Sequence, residues 1–550
     1  MQNSGLLRQF LDTQRRAFRL VLSLELLGSI LTLLLPLLVA QAFAEVFEFQ
    51  SMRGRLLQKM GLNFQPNFLL LLGLAILAKL GFDYYRRYIK GLFMERFLTW
   101  LRQKLFTQHL RMQVQEYEKT GTSKYLMRFS GDLGSAQQLL NKGVFQFFAD
   151  ASLLVLGALL LLWLNVQLGG LILVLSLLAA WAVMGFNRRI ERLEEQRRDR
   201  KSGLLSFVNQ RLSNILSIKA LNRETPEQHL FAKRTQKIQE LGDQYQQQVA
   251  LLNALIPFFI YSLLLLVLGA VYVWKKQGVI FPQDALFALI LVLLTLKPVL
   301  NRVMQIGVVW KKGGISLRKI DVLLSKPLEP AGADRERDWK ATRVEVDLPE
   351  TTKHPALQFQ LQKGTELHLE LNESVQSILV KYLAALELPP ENSIQLDGVA
   401  VETLSPKSIR RQFTFVSPLF PLYGKNVLEA IAYSRKHQAK AAAMLAEWQV
   451  LFPELSTIQV ETPVTERTLL TSAQVQLLQW LRAFLTNKPF WILQDAFRGL
   501  SCTTCQQLQG LLAQKKGKTG VLFLADQQQF EENEKKMGTP QVTLSSSTDM

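Results

Sequence analysis

Six long apolar runs crowd the first three hundred residues of this 550-residue chain, and they limit its fold more than any other feature. They are Ala17–Phe43, Phe68–Tyr88, Val144–Asn165, Gln167–Phe186, Val249–Trp274 and Phe281–Leu300. About 20 apolar residues in a helix cover the hydrocarbon core of a bilayer, so each run is long enough to cross a membrane. The first follows Arg8, Arg15 and Arg16 and ends near Ala40-Gln41-Ala42, the outline of a signal peptide. It exceeds the roughly 7–15 residues of a signal h-region and is interrupted by Glu25, which favours a retained membrane helix.

The distribution of charge gives the topology. Lys and Arg number 64 against 45 Asp and Glu, a net charge of +19 that by itself suggests nucleic acid. The cations concentrate between runs two and three (Lys90, Arg96, Arg102, Lys104) and between runs four and five (Arg188, Arg192, Arg197, Arg198, Lys201). The connection between runs three and four is nearly absent, and that between five and six carries only Lys275 and Lys276. Basic residues stay on the cytoplasmic side. Both termini and both long connections are therefore expected in the cytoplasm of a multi-pass inner-membrane protein. The charge reports topology, and no nucleic-acid partner is expected.

Both long connections continue the helical spacing of the runs they leave, predicting helices that project far beyond the bilayer. The composition changes after Ser325. The stretch 326–342 reads as a proline-rich, charged linker, and 343–537 alternates short apolar runs with helical ones. Strands are expected at 343–347, 356–361, 367–371, 413–416, 490–493 and 521–524, with helices over 427–448 and 473–485, the pattern of an α/β domain. The tail 538–550 is expected to be disordered. Cys502 and Cys505 are the only cysteines; with no second pair they read as two polar residues at a helix start.

The stretch GTELHLELNESVQSILV (364–380) places a strand, a polar turn and a helix beginning near Ser377 in the order of a phosphate-binding loop. Its turn holds no glycine and no lysine. Strings elsewhere supply the context: KTGTSKYLMRFSGDL (119–133), NILSIKALNRETPEQHLFAKR (214–234), IQLDGVAVETLSPKSIRRQFTFVSPLFPLYGKNVLEAIAY (394–433) and LTSAQVQLLQWLRAFLTNKPFWILQDAFRGLS (470–501). In order and spacing they resemble an ABC half-transporter of the exporter type over nearly the whole chain. The resemblance implies a six-span helical membrane domain (1–325) with coupling helices in its extensions, followed by a P-loop NTPase-like α/β domain.

On that frame the ATP-site positions are altered. A P-loop needs glycines so that successive backbone N–H groups turn inward, and a lysine for the β- and γ-phosphates. Here Glu370 and Glu373 stand at glycine positions, with Asn372 between them; Val375 stands at the last glycine and Gln376 at the lysine. Ser377 alone keeps its type. Gln494 replaces the Walker B aspartate, Asp495 the general-base glutamate, Ser417 the Q-loop glutamine and Ala525 the switch histidine. The signature reads Leu470-Thr471-Ser472-Ala473-Gln474, with a hydroxyl kept and both glycines lost. Two carboxylates near a phosphate chain oppose it by about 4 kcal/mol at 4 Å and an effective dielectric of 20, more than the 0.3–2 kcal/mol or so that a helix N-terminus contributes.

The resemblance therefore implies a pseudo-ATPase half of a homodimer or heterodimer, with no cofactor for this chain alone and Mg-ATP only at a site shared with a competent partner. A periplasmic adaptor is a further possible partner. The alternatives are a non-transporting scaffold of an envelope complex and an exporter with atypical motifs. Within the membrane, Glu25 and Lys79 both lie roughly 12–14 Å deep at 1.5 Å per residue. They are expected either to pair or to face a wet cavity separately.

Overall fold

In lipid the only partners for the backbone of a long apolar run are its own N–H and C=O groups, so such runs fold as helices. A computed structural model of the chain describes residues 5–46, 68–120, 125, 128–164, 166–277, 283–304, 306–336, 339–352, 354–464, 470–486, 488–515, 517–526 and 543–545. The body of each apolar run lies in a helix: Arg15–Val46, Phe68–Arg111, Phe147–Leu164, Val166–Ser213, Glu224–Lys276 and Gln283–Met304. By length and composition, three stretches of described residues can cross a membrane: Arg15–Val39, Leu133–Trp163 and Glu224–Val273. Ile290–Leu300 is a shorter apolar helix. Pro36, Pro257 and Pro298 sit inside helices. Side chains such as Leu70, Leu77, Leu80 and Leu265 face outward, as expected of helices that are apolar all round.

The chain divides into two compact units, residues 1–110 with 119–326 and residues 111–118 with 327–550. In the first, Leu33, Leu153, Leu161, Val267, Val292 and Leu296 form a buried apolar cluster between helices. Gly169 lies where any Cβ would meet the Leu161 carbonyl oxygen at 2.7 Å, so the tight turn into the Val166–Ser213 helix requires it. That helix and Glu224–Lys276 run on from their apolar segments into the basic extensions without a break. Their tip is the short helix Ile215–Ala220, which carries exposed Leu216 and is flanked by exposed Leu212 and Leu221. Of the segment 119–133, residues 121–124 and 126–127 lie outside the described residues, and Arg128–Asp132 winds as a π-helix.

Among the described residues of the second unit, nine strands form two sheets. β1 (Arg343–Leu348), β2 (Leu357–Gln362), β4 (Ile394–Leu396) and β5 (Val399–Ala400) form an antiparallel sheet in the order β2-β1-β4-β5. β3 (Glu366–Glu370), β6 (Phe413–Val416), β7 (Phe490–Gln494), β8 (Gly520–Ala525) and β9 (Thr543–Ser545) form a second sheet in the order β6-β7-β8-β3-β9, parallel in each pairing. Every residue of β7 is buried, as in a strand covered on both faces. Trp480, Phe484, Trp491 and Phe497 pack on one side of it, and Leu379, Phe413, Phe490 and Ile492 belong to a second cluster.

Four features differ from the sequence reading. The β4–β5 hairpin turns on Asp397-Gly398, both at positive φ (49° and 78°), the geometry that an Asp-Gly pair serves. The expected 427–448 helix is broken at Tyr433 (φ 49°) into Val427–Ala432 and Gln438–Leu451. Of the stretch read as a linker, the described residues from Pro327 on belong to the second unit, where Ala333 N donates to Thr403 O (2.8 Å) and Ser405 N to Ala333 O (3.0 Å). Within the tail read as disordered, Thr543–Ser545 pairs with β3, whose open edge offers an unused ladder.

Candidate functional site

The carboxyl ends of β3, β6, β7 and β8 bring together Glu370, Ser417, Gln494–Asp495 and Ala525, so the parallel sheet gathers residues far apart in sequence. Ligands of open α/β sheets bind at this edge. The β3 junction is short: β3 ends at Glu370, and the next helix runs Glu373–Leu383 with Asn372 as its extended cap (φ −61°, ψ 146°). Only Leu371 and Asn372 lie between. Leu371 N donates to Ala525 O (3.0 Å), continuing the β3–β8 pairing. The helix begins four residues before the expected Ser377, since no glycine holds the chain in a loop and an acidic Glu373 suits a first turn.

That early start decides where each side chain goes. Gln376 is 1% exposed; its backbone N–H donates to Asn372 O (3.0 Å), and its side-chain Nε2 donates to Leu371 O (2.7 Å). Val375 is buried in the core, Ser377 is half-buried, and Glu373 and Asn372 face solvent. Residues 373–376 are thus a helical turn closed by its own glutamine.

The neighbouring positions are tied to each other. Ser417 Oγ donates to Gln494 Oε1 (2.6 Å) and accepts from Leu419 N (3.1 Å), with Ser417 and Gln494 both buried. Asp495 follows at positive φ (50°) and is buried. Burial pushes its carboxyl above the usual range against the pull of Arg498, and Asp526 and Glu373 add to the push. Ala525 contributes its backbone oxygen to the β3 junction. Cys502 is exposed and Cys505 buried in the helix Cys502–Ala513.

Leu470–Gln474 opens the helix Ser472–Leu485. Thr471 is its cap in a reciprocal box: Gln474 N donates to Thr471 Oγ1 (3.2 Å) and Thr471 N to Gln474 Oε1 (2.9 Å). Gln474 Nε2 also donates to Glu454 O (3.0 Å), while Thr471 and Ser472 are exposed and Ala473 is half-buried.

In the membrane unit the expected Glu25–Lys79 pair does not form. Glu25 is 1% exposed and pairs with Arg86 (3.1 Å) and Lys90 (3.0 Å); Lys79 pairs with Asp83 (3.1 Å), which also meets Arg86 (3.1 Å). Asp83 sits one helical turn from Lys79 and satisfies it locally, and the long Arg86 and Lys90 side chains reach Glu25 from nearer the helix end. The i, i+3/i+4 spacing of Lys79, Asp83, Arg86 and Lys90 was the signal that depth counting passed over. Sequence reasoning also missed Asp150, which takes Arg302 through two hydrogen bonds (3.0 and 2.7 Å). Asp150 and Arg302 line a cavity of about 680 Å³ with Arg86, Arg87, Lys90 and Lys142, five cations to one carboxylate.

These features can be set beside known proteins. A family model described as the ABC transporter transmembrane region matches residues 18–298. The uncharacterized ABC transporter ATP-binding protein YknV of Bacillus subtilis is 22% identical over 450 residues, 77% of this chain and 72% of that protein. An ATP-dependent lipid A-core flippase of Xanthomonas campestris is 25% identical over 424 residues, 73% of this chain and 70% of its own. One from Ralstonia nicotianae is 22% identical over 479 residues, with 82% and 79% covered. Among solved structures, a bacterial Atm1-family ABC exporter with ATP bound shares the fold, with a TM-score of 0.74, 17% identity, and 94% of this chain and 91% of that one covered. With half of its length matched by the family model, the chain belongs to the family built on the ABC transporter transmembrane region.

Proposed function

We propose that this chain is one half of an ABC-exporter-like complex in the inner membrane, and that its own nucleotide site neither binds nor hydrolyses ATP. The observation that carries this reading is Gln376. Where a P-loop lysine would reach into an open loop, a buried amide bonds back to Leu371 O across a two-residue junction. Leu371 N–H and Gln376 N–H, which flank the junction, are spent on Ala525 O and Asn372 O, so what remains for a phosphate is a bare helix N-terminus without a glycine loop or a lysine. The Ser417–Gln494 hydrogen bond supports the same reading, because it ties up the two side chains nearest to the Q-loop and magnesium positions.

In this reading six helices cross the membrane with both termini in the cytoplasm, as the placement of lysine and arginine supports. The chain pairs with itself or with a competent half-transporter, and a periplasmic adaptor is compatible with either. The exposed Leu212, Leu216 and Leu221 at the tip of the second extension favour an assembled complex over a lone chain. Mg-ATP enters only against Leu470–Gln474, presented to a partner's intact P-loop. The cargo carries negative charge: the basic cavity supports this, as does kinship with lipid A-core flippases.

The experiment is to isolate the intact complex from its native membrane, identify the partner, and measure hydrolysis by the reconstituted pair. Thr471→Arg should reduce turnover at least tenfold, while Gln376→Ala leaves it within twofold. Equal losses from the two changes contradict the reading.

A further inference from the structure

A second cavity, of about 700 Å³, lies in the helical extensions of the membrane unit and shares no lining residue with the cavity at Asp150. Six cations line it: Arg128, Arg197, Arg198, Lys201, Lys312 and Lys319. Against them stand two carboxylates, both already engaged. Asp132, 4% exposed, holds Arg128 and Arg198 (2.8 Å from Arg198), and Glu194 holds Lys312 (2.7 Å) and Arg197 (3.5 Å). Among the described residues Lys201 and Lys319 have no carboxylate partner.

The back wall is built rather than incidental. Arg198 is fixed by Asp132 Oδ1, by Ser316 Oγ (2.7 Å) and by the Lys312 carbonyl (3.3 Å), and fully buried Ser316 donates in turn to Asp132 (2.9 Å). One wall is the π-helix Arg128–Asp132, a wide turn of the kind often found at functional sites. Like charges repel, so a fold that gathers six cations around one space against two carboxylates is suited to a counter-anion of several charges.

The depth of the site selects the source of that anion. Arg198 lies 12 residues beyond Phe186, the end of the fourth apolar run, on one continuous helix. At 1.5 Å per residue this is about 18 Å along the helix. The headgroup layer of a bilayer leaflet is roughly 5–8 Å thick. The pocket is therefore out of reach of lipid phosphates and open to solutes of the cytoplasm. We propose that it binds a soluble polyanion of the phosphate class, bearing two or more phosphoryl groups, as a ligand distinct from the cargo and from the Mg-ATP that a partner's P-loop would hold against Leu470–Gln474.

The test uses the full-length protein in nanodiscs of zwitterionic lipid, with pyrophosphate as the titrant and inorganic phosphate for comparison. Pyrophosphate should bind saturably and more tightly than phosphate, with affinity falling as salt rises. Lys201→Glu and Lys319→Glu, both outside the ion-pair network, should each weaken it at least tenfold, while Gln376→Ala leaves it unchanged. Absence of binding, or binding indifferent to the double reversal, overturns the proposal. Competition by anionic lipid added to the nanodisc reassigns the pocket to headgroups and overturns the soluble-ligand claim.

Discussion

Two helix starts in the C-terminal unit invite comparison. The Glu373–Leu383 helix follows β3 after two residues and is sealed by a buried glutamine that bonds to the carbonyl behind it. The Ser472–Leu485 helix begins in the open, with Thr471 and Ser472 exposed and the cap closed by Gln474. In the proposed reading both stand where an ABC-type site would have a glycine-rich turn, one facing the chain's own nucleotide and the other a partner's. Without a glycine the core takes in the first turn, whereas the second remains a surface. In the proposed reading, a site is lost on one side while the side offered to another subunit stays presentable.

The sharpest way to break this contrast is to restore the missing lysine. Gln376→Lys places an ammonium in a space that is 1% exposed and should destabilise the chain by about 3–5 kcal/mol, as an uncompensated buried charge does, without creating ATP binding. Unchanged thermal stability would show that the junction is open after all. Next in size is Ser417→Ala, which strands the buried Gln494 Oε1 and should cost about 1–3 kcal/mol in denaturant unfolding.

On the open side the effect is smaller. Thr471→Ala removes a cap and should cost about 1 kcal/mol in stability, leaving the sealed junction intact. The last effect is graded by pH and reaches about 3 kcal/mol only at the acid end of its range. Burial holds His368, on β3 and stacked on Phe523 at 4.3 Å, at about 4 instead of its ordinary 6.5. Between those values the unfolded chain binds the proton and the folded chain does not. Stability should fall by up to about 1.4 kcal/mol per pH unit as pH drops from 6.5 to 4, and this loss should vanish in His368→Phe. Asp495 contributes with the opposite sign, since its raised carboxyl keeps a proton in the folded state and loses that stability as pH rises. The difference between wild type and variant isolates the histidine.

Much of this was legible in the sequence because it rests on period and order. The apolar runs announce helices by length alone, and β6 falls at 413–416 as read. The helix start at Glu373 was hidden because the P-loop frame supplied a loop that only glycine would keep open. The β4–β5 hairpin carried its signal openly in Asp397-Gly398, yet its strands are too short to show alternation. Partners of buried charges were the least legible. Glu25 was matched to Lys79 by depth, whereas side-chain reach and the intervening Asp83 decide who meets whom. Likewise, the second basic cavity depends on helices that sequence order keeps far apart, and only packing brings Arg128, Lys201 and Lys319 around one space.

The central claim is that the junction at Gln376 holds no nucleotide, and equilibrium binding tests it most directly. Mg-ATP is titrated into the full-length chain carrying Lys201→Glu and Lys319→Glu, so that the second basic cavity, around Arg198, does not contribute. The account predicts no saturable binding into the millimolar range. Micromolar binding that is lost on Ser377→Ala would contradict it.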